Sequence, residues 1–244
     1  MFRFAKDLLI IDSETTGVED HHVICEWGSI RLDRETLQEK SRLSTLVHIS
    51  KNDLALATPQ AMAVHGIDPL ILRDPQTCMN PAFLPQAIQA AHGPATGYDL
   101  YGMNVLFDTS KLRALCRRYD QSYPFPGERP YSCRERDFQD FLVIFSSLRG
   151  LGWGGAGLRS MCTKYNIPFS KDHSAVEDCE ILAELLRKVG SEIQRDYKVS
   201  FTKAPKCGCE YNAPMVVKSN HRGQFWGCSR YGSDGCQGKT LRIK

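Results

Sequence analysis

Two carboxylates, Asp12 and Glu14, stand two residues apart where the apolar run Leu8–Ile11 ends. In an extended chain residues i and i+2 point to the same side, so both acids face one way. Carboxylates paired at a strand end can hold a hard divalent cation such as Mg²⁺; the competing reading is a solvated turn. Thr15, Thr16 and Gly17 follow, and a tight turn there would present backbone N–H groups beside the acids. A second acidic segment, GMNVLFD, sets Asn104 and Asp108 four residues apart, on one face of a helix. Its bland alternative is an N-cap at Asn104 with Asp108 in solvent. In the third, HSAVED, His173 and Asp178 open a long helical pattern, and a His in that place serves either as a base or as a cap. No one of the three segments decides the chemistry alone.

In chain order the three read DxE, NxxxD and HxAxxD, and together they resemble the exonuclease motifs of the DEDDh (DnaQ-like) 3′→5′ exonuclease family over residues 5–190. DSETTG is similar to the first family motif almost letter for letter, HSAVED to the third, and AMAVHGI (61–67) to the segment that precedes the second. The resemblance implies an α/β fold, an RNase H-like mixed sheet flanked by helices, and two Mg²⁺ (or Mn²⁺) ions. Two cations about 3.5–4 Å apart serve attacking water, phosphoryl oxygens and leaving oxygen alike. By the same resemblance Asp12 bridges both ions, Glu14 and Asp178 complete the water-activating site, Asp108 supports the second ion, and His173 accepts the proton of the water. Asn104 orients the site, the backbone at Thr15 and Thr16 holds the terminal 3′ nucleotide, and Met62 and His65 lie nearby, His65 in either a substrate or a structural role. Many relatives carry His immediately before the second-motif Asn, where this chain has Met103, so altered packing or substrate contact is expected there.

The C-terminus has its own logic. Cys207-x-Cys209, 18 residues, Cys228, seven residues and Cys236 supply four thiolates in a short stretch. One tetrahedral Zn²⁺ would close such a module and provide the folding energy that about 40 residues cannot bury. His221 is the alternative ligand. Between the cysteines, cations alternate with aromatics: Arg222, Phe225, Trp226, Arg230 and Tyr231 suit a platform on which bases stack and phosphates meet guanidinium groups. Against this, Phe225 and Trp226 could simply form the module's small core. RGQFWGCSRY resembles the four-cysteine fingers of type IA topoisomerases, and the C-x-C opening is similar to GRF-type fingers; both families bind single-stranded DNA.

These groups need a scaffold. Strand patterns cover Asp7–Asp12, Val23–Leu32 and Arg42–Ile49, predicting an antiparallel meander, with a further strand near Ala95–Gly102. Helices are expected at Pro81–Ala91, Phe107–Tyr119, Phe138–Leu148, Leu158–Tyr165 and Ala175–Ile193. Such an order fits a mixed sheet covered by helices. Residues 198–206 lose helical periodicity and carry Pro205, so the expected domains are 1–197, a linker at 198–206, and a zinc-stapled β module at 207–244. Gly152, Gly154 and Gly157 spell GxGxxG, but a helix pattern and not a strand precedes them, which argues for a helix-to-helix loop and against a dinucleotide site.

Composition sets the outer bounds. With 42% hydrophobic and 24% charged residues among 244, the chain can build a sizeable core. Its longest apolar run is five residues, Phe141–Phe145, far short of a membrane span, and no signal-peptide pattern opens it; an intracellular, cytoplasmic protein with no membrane partner is expected. Residues 1–197 hold 22 Lys+Arg against 26 Asp+Glu, a net of −4, whereas 198–244 hold 9 against 2, a net of +7. A basic tail on an acidic body suggests a polyanion. With the resemblance above, the expected function is a metal-dependent 3′→5′ exonuclease releasing nucleoside monophosphates, with single-stranded DNA or DNA 3′ ends as substrate. The alternatives are an exoribonuclease acting on RNA and a non-catalytic nucleic-acid-binding adaptor.

Overall fold

The computed structural model describes residues 6–125, 157–169, 174–197, 207–208, 215–220, 223–228 and 240–242. The expected helix at 138–148, the glycine loop at 152–156 and the linker at 198–206 lie outside them.

Strand β1 (Asp7–Thr15) is the centre of a four-stranded sheet with β2 (Ile24–Leu32), β3 (Glu39–Leu46) and β4 (Tyr98–Tyr101), in the order β3-β2-β1-β4. The first three strands form an antiparallel meander, and β4 joins β1 in parallel, so the sheet is mixed. The unbroken run LLII in β1 is explained by burial on both faces. Leu8 and Ile10 enter one core with helices α6 (Leu158–Tyr165) and α7 (Ala175–Tyr197); Leu9 and Ile11 enter the other with α4 (Leu84–His92) and α5 (Val105–Arg118). Strand β3 begins three residues before the expected Arg42 because a turn anchored on Asp33 starts it: the Asp33 carboxylate accepts from the backbone of Glu35 and Thr36. Three short helices, α1 (Lys51–Ala55), α2 (Pro59–His65) and α3 (Pro69–Leu72), fill a segment in which no element was expected. Pro81–Phe83 and Ala95–Gly97 are 3₁₀ turns and not the outer residues of a helix and a strand.

In the C-terminal region β5 (Met215–Asn220), β6 (Gly223–Cys228) and β7 (Leu241–Arg242) form a separate antiparallel sheet. Its buried cluster among the described residues is Cys207, Met215 and Cys228. Partly buried Trp226 packs against this trio and also against the α6–α7 core of the larger region. No helix among the described residues is long and apolar enough to cross a membrane.

Candidate active site

Because side chains alternate along β1, Asp12 and Glu14 continue the face of Leu8 and Ile10, towards α7, while Ser13 turns towards α5. That alternation distributes the acids. The Ser13 hydroxyl donates to Asp108 Oδ1 at 2.6 Å, tying the α5 carboxylate to the end of β1. Asp108 is 2% exposed, which excludes the solvated-cap alternative for it. Asn104 does occupy the N-cap position of α5, in a left-handed conformation (φ 60°, ψ 45°) and without a side-chain capping bond.

Asp178 arrives from the first turn of α7. Helix α7 begins with a capping box: the Glu177 carboxylate accepts from the Ser174 N–H at 2.7 Å, and Ser174 Oγ accepts from the Glu177 N–H at 3.4 Å. Glu177 is thereby spent on the cap, and the next acid is the one that meets β1. Asp12, Glu14 and Asp178 each offer an oxygen, all lying within 4.8 Å of one another. Asp12 and Glu14 remain partly open to solvent, whereas Asp178 is buried.

So many acids in one place resist ionisation. Burial, then the negative charges of Asp108, Asp178, Glu14 and Glu26, hold the Asp12 carboxyl well above the ordinary carboxylate range. Glu14 is lifted to about 7 by burial and by Glu26, and Asp178 to about 7 by burial and then by Glu14. For Asp108 burial raises the value to about 8 against the opposing Ser13 hydrogen bond. An all-oxygen, strongly negative donor set is what a hard divalent cation such as Mg²⁺ or Mn²⁺ requires, and its charge would return these groups to the ionised form.

Other positions pointed out by the sequence have definite places. Thr16 is fully buried, with its N–H donating to the Val23 carbonyl, its carbonyl accepting from the Thr58 N–H and its Oγ1 accepting from the Val23 N–H. Thr15 Oγ1 donates to the Gly17 carbonyl. His65 is buried, its Nδ1 accepting from the Ile67 N–H and its Nε2 lying 3.7 Å from Cys25 Sγ; Met62 packs into the neighbouring cluster of Cys25, Ile49, Leu72 and Cys78. These contacts seat the 58–67 segment beneath the first acidic motif. Met103 packs, partly buried, on the α6–α7 core. His173, Cys209, His221, Arg222, Arg230, Tyr231 and Cys236 lie outside the described residues. Cys207 and Cys228 are buried together, which brings two of the four thiols into one cluster, and Phe225 is partly buried in β6.

Four residues escaped sequence reasoning. Ser13 was hidden between the two acids. Lys111, buried on α5, donates to the carbonyls of Glu19 and His22 and so fastens the loop after β1. Glu26 lies opposite Glu14 on β2, and Gly28 lies opposite Asp12. A Cβ on Gly28 would stand 2.3 Å from the backbone of Ala175 and Val176, so the absent side chain lets α7 rest directly on the sheet. An acid and a glycine two residues apart in β2, at the registers of the two catalytic candidates, were the available signal.

The exonuclease family model of the RNase T type matches residues 9–186. No curated protein matches by sequence. Among solved structures, Escherichia coli exonuclease I in complex with a dT13 oligonucleotide is similar with a TM-score of 0.61 and 19% identity, over 79% of this chain and 43% of that one. The nuclease domain of 3'hExo, described as a DEDDh family member and bound to rAMP, is similar with a TM-score of 0.61 and 16% identity, over 79% of this chain and 95% of that one. A 3′-exonuclease structure concerned with the histone mRNA stem-loop aligns with a TM-score of 0.57 and 15% identity, over 91% of this chain and 90% of that one. This chain thus spans less than half of exonuclease I. At these identities the likeness shows the fold, a mixed sheet flanked by helices of the RNase H-like exonuclease kind. With the family model spanning most of its length, and every acidic position of the site inside the match, the chain belongs to the exonuclease family.

Proposed function

We propose that the chain is a DEDDh-type, two-metal 3′→5′ exonuclease that releases nucleoside monophosphates from DNA. In this reading a nuclease domain (1–197) is joined through a linker (198–206) to a Cys207/Cys209/Cys228/Cys236 zinc finger (207–244) that retains single-stranded substrate. The convergence of Asp12, Glu14 and Asp178 oxygens within 4.8 Å carries it. The ions would supply a nucleophilic hydroxide and neutralise charge developing on the phosphoryl group. The chain's own contribution is positional. Asp12, Glu14 and Asp178, from β1 and α7, and Asp108 of α5, braced by Ser13, would hold the cations, and His173, next in sequence to the capping Ser174, would accept the proton of the water.

The DNA preference is supported by the topoisomerase-like finger. An exoribonuclease reading is favoured instead by the likeness to 3'hExo, which covers 95% of that domain and was seen with rAMP. Matched end-labelled DNA and RNA, single and double stranded, incubated with the full chain in Mg²⁺ or EDTA, separate the readings. Mononucleotide release from DNA in Mg²⁺ alone is expected. Release from RNA only transfers the assignment to RNA, and retention of substrate without any cleavage favours the adaptor.

A further inference from the structure

Helix α7 has two kinds of anchor at its start, and they do different work. The capping box of Ser174 and Glu177 is local: it satisfies N–H groups wherever the helix lies. The second anchor comes from across the sheet. Glu26, 6% exposed on β2, accepts through Oε2 from the Ala175 N–H at 3.2 Å, a contact between residues 149 apart in sequence. Two residues further along the same strand and face, Gly28 gives the helix backbone its seat. A carboxylate accepting from a helix N-terminus gains from both the orphan N–H and the helix dipole.

Burying a fifth acid beside Glu14 and Asp178 works against those two, so a residue with only a packing role would be better served by an apolar side chain. Its oxygen is directed at the helix backbone. We propose that Glu26 is a positioning residue for the exonuclease reaction: it tethers the first turn of α7 to β2 at the seat made by Gly28, and so sets the placement of Asp178 against Asp12 and Glu14. It acts through Asp178 and does not ligate metal itself. This rests on the exonuclease reading above.

Three substitutions separate reach from charge. Glu26→Gln keeps an acceptor at full length, Glu26→Asp keeps the charge but withdraws the oxygen by one methylene, and Glu26→Ala removes both. For mononucleotide release from a 5′-labelled oligonucleotide at saturating Mn²⁺, E26A and E26D are expected to lose about 10- to 100-fold in kcat, the scale of a misplacement near 1 Å, with KM within about threefold. E26Q is expected to stay within about fivefold in kcat and twofold in the Mn²⁺ midpoint. Hydrogen exchange of the amides in 174–178, read on the metal-free full chain, is expected to accelerate about tenfold in E26A and E26D, and not in E26Q.

The opposite ranking, with E26D active, E26Q inactive and the Mn²⁺ midpoint raised tenfold or more, would make Glu26 a ligand and overturn the tether. Wild-type kcat in E26A overturns it as well. Should E26A fail to fold, the E26D and E26Q pair still decides. If the wild-type chain releases no nucleotide, the exonuclease reading fails, and the exchange data judge the tether independently.

Discussion

The two sheets of this chain solve the problem of stability by opposite means. Among the described residues, the four-stranded sheet is sandwiched between two clusters of fourteen buried side chains each, so the acidic cluster is set into a scaffold able to bear its repulsion. Among the described residues, the buried apolar cluster beside the three-stranded sheet has three members, two of them thiols, and a borrowed share of Trp226. Apolar burial at about 25 cal/mol per Å² can support the first, whereas a module of about 40 residues is of the size that usually needs a further staple. On the proposed reading the two regions divide the labour: metal in the body would relieve the crowded acids and serve chemistry, while metal in the module would hold the fold together.

The largest effect that tests this division is chemical. Asp12→Ala or Asp178→Ala is expected to reduce nucleotide release by at least about 10³-fold, some 4 kcal/mol of transition-state stabilisation, while the body's thermal transition persists. Full activity in either variant would dissolve the assigned site. Next comes metal withdrawal from the module. A zinc-selective chelator is expected to unfold 207–244, seen as new proteolysis there, and to weaken binding of single-stranded DNA about tenfold at 0.1 M salt, with the body's melting temperature unmoved. Equal loss in both regions would mean that they fold as one unit.

A smaller effect is electrostatic. The folded metal-free chain holds Glu14 and Asp178 at about 7 and Asp108 at about 8, against about 4 in an unfolded chain. Folding therefore takes up protons between these values. The stability they contribute is complete near pH 4 and is lost as pH rises through 7 to 8. Thermal melts without divalent ions should show a melting temperature falling from pH 5.5 to 8.5, recovered by Mg²⁺. Asp12→Asn should flatten that fall and melt a few degrees higher at pH 8. A variant with the same pH slope as the wild type would remove crowding of the acids as the cause.

Much of the body was legible. The run LLII announced a strand, and the 3.6-residue periodicity after Ser174 announced α7, so the elements bearing Asp12, Glu14 and Asp178 were readable from local pattern. Asp108 was legible as an acid but not as a buried one, because the Ser13 bond joins residues 95 apart. Helices α1 to α3 left cap signals, Ser50, Thr58 before Pro59 and Asp68 before Pro69, but each is too short to show periodicity. Only the first three residues of β3, the polar Glu39, Lys40 and Ser41, escaped the pattern, and Glu26 and Gly28 passed as ordinary strand positions because their meaning lies in where a helix lands nearly 150 residues later.

The flush contact at Gly28 makes the acidic cluster sensitive to a single hydrogen-for-methyl exchange on a strand that bears none of the clustered acids. Alanine there would wedge α7 outward, so loss-of-function alleles should cluster at a residue with no reactive atom. A designer who wished to detune the proposed activity without altering its acids would begin at that spot.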